Sequence, residues 1–146
     1  MSQNENNKSE KSIEKQKKKE LYVELKTLDE NIKELHVQIE KIEEQISELK
    51  TNKAILEKFT ELKEGKEIRV PLVSGIYIKA ELKDTKKVMV NVGADVTVEK
   101  TPEEVSEILA NQINELIEYR KNLVMQIKSM IQRAEEIQEY FKNQEN

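Results

Sequence analysis

The placement of its helix breakers most constrains what this chain can fold into. All three glycines (Gly65, Gly75, Gly93) and both prolines (Pro71, Pro102) lie between positions 65 and 102 of the 146 residues. Gly and Pro interrupt regular helix more strongly than any other residue. Two long flanks are therefore free to be helical, and the middle is left for turns and strands.

The first flank spaces its apolar residues alternately four and three apart: Leu21, Leu25, Leu28, Ile32, Leu35, Ile39, Ile42, Ile46, Leu49 and, after a gap, Leu56. With Leu21 at heptad position d, Leu25, Ile32, Ile39 and Ile46 fall at a, and Leu28, Leu35, Ile42 and Leu49 at d. Such a stripe is a coiled-coil seam. Its neighbours are mostly Glu, Lys, Gln and Asn, which suits a solvated outer face. The second flank repeats the pattern through Leu109, Ile113, Leu116, Leu123, Ile127, Met130, Ala134, Ile137 and Phe141. Its start is marked by Thr101 as N-cap, Pro102 at the first helical position and Glu104 completing a T-x-x-E capping box. Two helices of similar length joined through a short insert pack most economically as an antiparallel pair. Lys53 and Arg120 occupy a positions, where polar residues commonly fix register.

Between the flanks the period changes to two, with β-branched residues alternating along Ile68, Val70 and Leu72, along Ile76, Ile78, Ala80 and Leu82, along Val88, Val90 and Val92, and along Val96 and Val98. This predicts four short strands in two hairpins, reversed at Ser74-Gly75 and at Gly93-Ala94 before Asp95. Pro71 cannot donate to a ladder, so its strand is an edge or carries a bulge. The expected fold is α+β: a long antiparallel two-helix coiled coil with two β-hairpins inserted between the helices. The predicted organisation is a disordered tail over 1–12, helix over 13–64, hairpins over 65–100 and helix over 101–146. Two hairpins alone bury little, and open apolar edges invite pairing with another chain. The hairpins are expected to close into an intersubunit β-barrel through Ile68, Val70, Leu72, Ile76, Ile78, Leu82, Val88, Val90, Val92, Val96 and Val98.

Composition bears on chemistry chiefly by exclusion. With no cysteine and one histidine there is no thiolate nucleophile and no Cys/His metal set, so no catalytic residue, metal or cofactor is expected. No Gly-rich phosphate loop is present. No apolar run approaches the roughly 18 residues of a membrane span, and the polar start lacks a signal-peptide core, so a cytoplasmic protein without a membrane partner is expected. The formal net charge of -4 mixes both signs and does not point to nucleic acid.

The central stretches R-V-P-L-V-S-G-I-Y-I-K-A-E-L and K-K-V-M-V-N-V-G-A-D-V-T-V-E-K-T-P-E-E, set between two long helices, resemble the α-class subunits of prefoldin, most closely the archaeal type. The resemblance runs from about Glu20 to the C-terminus, and the two hairpins set it apart from the single-hairpin β class. It implies a hexamer of two α-class and four β-class subunits joined through a double β-barrel, holding unfolded proteins at coiled-coil tips and passing them to a group II chaperonin without ATP. A second reading is a filament-forming or scaffold relative whose hairpins polymerise, because open contacts that do not close into a ring extend indefinitely.

A protein that holds unfolded chains needs accessible apolar surface. Candidates near the coil tips are Ile13, Leu21, Tyr22, Val23, Ile131, Ile137, Tyr140 and Phe141. Tyr22, Val23 and Tyr140 lie off the seam, whereas Leu21, Ile137 and Phe141 can equally finish the coil as its last buried layers. Ile117, Val124 and Ile131 form an extra e-position stripe; Ile117 reads as packing near the base and Ile131 as a client contact. His36 reads as a solvated surface residue. Lys8, Lys11, Lys15, Lys17, Lys18 and Lys19 read as a solvated helix start or tail, since Glu10, Glu14 and Glu20 blunt their field; the alternative is a local nucleic-acid or acidic-protein patch, such as one meeting an acidic chaperonin surface.

Overall fold

The computed structural model describes residues 2–145, with side-chain surroundings given for 4–144. In chain order it contains α1 (Ser2–Phe59), β1 (Glu67–Val73), β2 (Ile76–Glu81), β3 (Val88–Gly93), β4 (Val96–Lys100) and α2 (Pro102–Glu145). The residues form two compact units. A coil unit comprises residues 1–43 with 118–146, and a hairpin unit comprises residues 44–117.

In the coil unit the two helices run antiparallel, and burial follows the heptads. Ile39, Ile42, Leu123, Ile127 and Ile137 are buried, and the seam positions Leu21, Leu25, Leu28, Ile32, Leu35, Met130, Ala134 and Phe141 are half-buried. The hairpin unit continues the same spacing with Ile46 and Ile113 buried and Lys53 half-buried beside Ile113 and Ala110. No buried side-chain polar atom among the described residues lacks a hydrogen-bond partner, so each seam is an apolar core without strain from desolvated polar groups.

α1 begins at Ser2, not after residue 12 where a disordered tail was expected; Met1 lies outside the described residues. The stretch contains no Gly or Pro, and extending an existing helix backwards adds one hydrogen bond for each residue fixed. Residues 4–16 are all exposed, and helix propagation orders them. At its other end α1 stops at Phe59, earlier than residue 64, and unwinds through tight turns in which Glu61 and Leu62 N–H groups donate to the Lys58 and Phe59 carbonyls at 3.1 Å. α2 starts at its cap: the Glu104 N–H donates to Thr101 Oγ1 at 3.2 Å, and Pro102 is buried at the first helical position.

The hairpins are two separate antiparallel sheets, β1-β2 and β3-β4. They follow one plan twice. Val70 pairs with Ile78 and Val73 with Ile76; twenty positions on, Val90 pairs with Val98 and Gly93 with Val96, as counted from the two registers. Each first strand carries one extra residue, Leu72 or Val92, next to its turn. The residue before each bulge differs between the two: Pro71 has no N–H to donate, and Asn91 Oδ1 accepts the Gly93 N–H at 2.9 Å. The turns differ. Ser74-Gly75 relies on Gly75 at φ 78°, whereas the second reversal falls on Ala94 (φ 49°) and Asp95 (φ 60°), one residue later than the sequence suggested.

Candidate assembly and client surfaces

Because side chains alternate along a strand, pairing Ile68 with Ala80 and Val70 with Ile78 puts these residues on one face of the first hairpin. Glu67, Arg69, Tyr77 and Lys79 take the other face, where Lys79 reaches Glu67 at 3.9 Å. The second hairpin sorts in the same way, with Val88, Val90 and Val98 on one face and Met89, Asn91, Thr97 and Glu99 on the other, where Lys87 reaches Glu99 at 3.9 Å. Alternation carries Leu72 and Val92 onto the same faces as Val70 and Val90, so each hairpin has one apolar and one polar side. These apolar faces are open to solvent: Leu72 is 60% exposed, Ile76 56% and Val92 57%. Val70, Ile78, Val96 and Val98 are also exposed, while Ile68, Leu82, Val88 and Val90 are half-buried. Val73, at 61% exposure, belongs to the same face; its pairing with Ile76 across the bulge breaks the period-two alternation of the strand.

In the coil unit, one side of the seam is closed by polar contacts between g positions. Arg133 donates from Nε and Nη2 to the two carboxylate oxygens of Glu24 at 2.7 and 3.1 Å, and from Nη1 to Glu136 at 3.3 Å. Seven residues along, the Lys17 ammonium sits 5.2 Å from the Tyr140 ring centre, and Tyr140 meets Phe141 edge to face at 5.7 Å. The hydrogen bonds from Arg133 hold the Glu24 carboxyl below the usual carboxylate range; partial burial opposes this and the guanidinium charge adds to it. Glu24 in turn raises the Arg133 pKa further.

The opposite side, at the e positions, is open. Tyr22, Leu25, Lys26, Asp29 and Ile32 of α1 and Ala134 and Gln138 of α2 line a groove of about 340 Å³. Ala134 creates it by placing a methyl group where the other a positions of the coil unit's α2 carry a larger side chain.

The tip candidates therefore divide. Ile13, Tyr22, Val23 and Ile131 are exposed, Leu21 and Phe141 are half-buried in the seam, and Tyr140 is half-buried under Lys17. Ile137, at 1% exposure, is the most deeply buried large side chain described; it closes a seam layer and offers no surface. Among the described residues no group of carboxylates and His is placed to hold a metal, and no helix is long and apolar enough to cross a membrane.

A paired-helix coil carrying strands with unsatisfied apolar faces defines a class of coiled-coil assembly subunits. The prefoldin subunit family matches residues 28–145. Relatives include the prefoldin alpha subunits of Thermofilum pendens, 32% identical over 83 residues (55% of this chain and 64% of that one), and of Methanococcus vannielii, 36% identical over 73 residues (50% of each). The matched segments thus span about half to two-thirds of the length of these relatives. The fold is similar to that of a filamentous PFD from Methanocaldococcus jannaschii solved by cryo-EM, with a TM-score of 0.69 at 24% identity, covering 78% of this chain and 94% of that one. The chain belongs to the prefoldin subunit family. Its archaeal relatives named here are alpha subunits.

Proposed function

We propose that this chain is the α-class subunit of a cytoplasmic, ATP-independent chaperone complex. Its hairpins close into a β-barrel with hairpins of β-class subunits, its coil holds unfolded proteins, and the complex passes them to a group II chaperonin. The observation that supports this most directly is a pair of open apolar hairpin faces in a chain whose coil already has a complete core. An apolar sheet face and free strand edges are stable only when covered, and a second sheet covers both. Client capture is supported by Ile13, Tyr22, Val23 and Ile131, apolar side chains that a finished coil leaves in water.

The test is suppression of aggregation. The complex slows aggregation of a chemically unfolded protein without nucleotide, and removing residues 1–23 together with 131–146 weakens that protection while leaving assembly intact. Equal protection by the trimmed complex would show that clients are held elsewhere. A filament is the second reading, favoured by the same open faces and by the filamentous state of the M. jannaschii protein. Indefinite growth of the purified chain, in place of a closed complex, selects it.

A further inference from the structure

Most of the lysines at the start of α1 lie on one side of the helix, away from Lys17. At about 100° per residue, Lys8, Lys11, Lys15, Lys19 and Lys26 share roughly a quarter of the helix surface with Tyr22. Glu10, Glu14, Glu20 and Glu24 lie outside that sector. Its one acidic residue between Lys8 and Lys33 is Asp29, which is already taken by Lys33 at 3.2 Å. All five lysines are exposed, and none has an ion-pair partner among the described residues. This basic row borders the open side of the coil, the side that bears the Tyr22–Ala134 groove, whereas Glu24 closes the other side through Arg133. An apolar groove and an unneutralised cationic row therefore form one continuous face within the coil unit.

We propose that this face receives an extended stretch of unfolded polypeptide in which apolar and acidic residues are mixed. The apolar side chains enter the groove, and the acidic ones lie along the lysine row. The proposal rests on the client-holding reading above and adds a selectivity to it. An extended segment of about eight residues covers the about 27 Å from Lys8 to Lys26. The groove, lined on α1 from Tyr22 to Ile32, adjoins the row and shares Lys26 with it, so the apolar part of the segment enters the groove and its acidic part follows the row.

The test uses the full chain assembled with a β-class subunit and fluorescently labelled disordered peptides of about ten residues, enough to span that length. The peptides share their Leu and Phe positions and differ only in Glu or Lys spacers. Three or four exposed ion pairs, each worth a factor of about two, give the Glu peptide about tenfold tighter binding in about 50 mM salt, and the advantage disappears in about 0.5 M salt. The triple variant K15E/K19E/K26E reverses the preference. A134L, which fills the groove, weakens both peptides alike. Equal binding of the two peptides in low salt overturns the selectivity while leaving client holding intact. Failure of both peptides, together with failure to protect an unfolded protein, overturns client holding as well. Displacement of the Glu peptide by a single-stranded RNA of similar length at lower concentration identifies the row as a nucleic-acid surface and overturns the proposal.

Discussion

The coil and the hairpins use similar aliphatic residues and treat them in opposite ways. In the coil, Leu123 and Ile137 are 3% and 1% exposed, because the partner helix needed to cover them is part of the same chain. In the hairpins, Leu72 and Val92 stand open because each hairpin is two strands with no layer against its apolar face. One region completes its core in cis, and the other is built to have it completed in trans. Substitutions of the same kind should therefore report on folding in one region and on assembly in the other.

The largest effect is expected from Ile78→Asp combined with Val98→Asp. Two carboxylates on the open hairpin faces should reduce the complex to single chains in sedimentation while far-UV helicity is kept. Loss of helix along with assembly would break the comparison. Next is Leu123→Ala, which should lower coil stability by about 2–5 kcal/mol in thermal unfolding, as expected for a buried leucine that leaves a cavity. Its assembly mass should not change. Ala94→Gly should stabilise the assembled form by up to about 1 kcal/mol, because an L-residue side chain is disfavoured at the positive φ that the second turn imposes.

The smallest effect concerns the ion pair beside the seam. Glu24 titrates below an ordinary carboxylate because the charged form accepts hydrogen bonds from Arg133. Its contribution is thus present above the usual carboxylate pKa and fades as pH falls through the depressed one. Arg133→Met should return Glu24 toward the usual range in an NMR titration. The melting difference between variant and wild type should vanish in acid below the depressed value. A difference that persists there would assign the effect to packing.

Much of this architecture is legible along the chain. The heptad spacing of Leu21 through Leu49 and of Leu109 through Phe141 marks the residues that the structure buries or half-buries. Thr101 and Pro102 mark where α2 begins, since cap and first-turn preferences are local. The features that escape notice depend on three-dimensional placement. Lys15 and Glu14 adjoin in sequence, yet one residue turns the helix far enough to put them on different faces. Tyr140 is off the seam by spacing but is half-buried because Lys17 of the other helix reaches its ring. Ala134 is an ordinary a residue until the groove left by its missing bulk is seen beside Tyr22. The polar composition before Ile13 favours disorder by itself, while α1 runs from Ser2 because propagation from a paired helix adds one hydrogen bond for each residue fixed.

The central claim is that the hairpin faces are covered by other chains. Light scattering of the full chain, alone and mixed with a β-class subunit, tests it most directly. The account predicts a mixture that gathers into one closed species of about six chains, the number that the family resemblance implies. A chain that stays at the mass of a monomer in the mixture, with Leu72, Ile76 and Val92 still open to solvent, would contradict it.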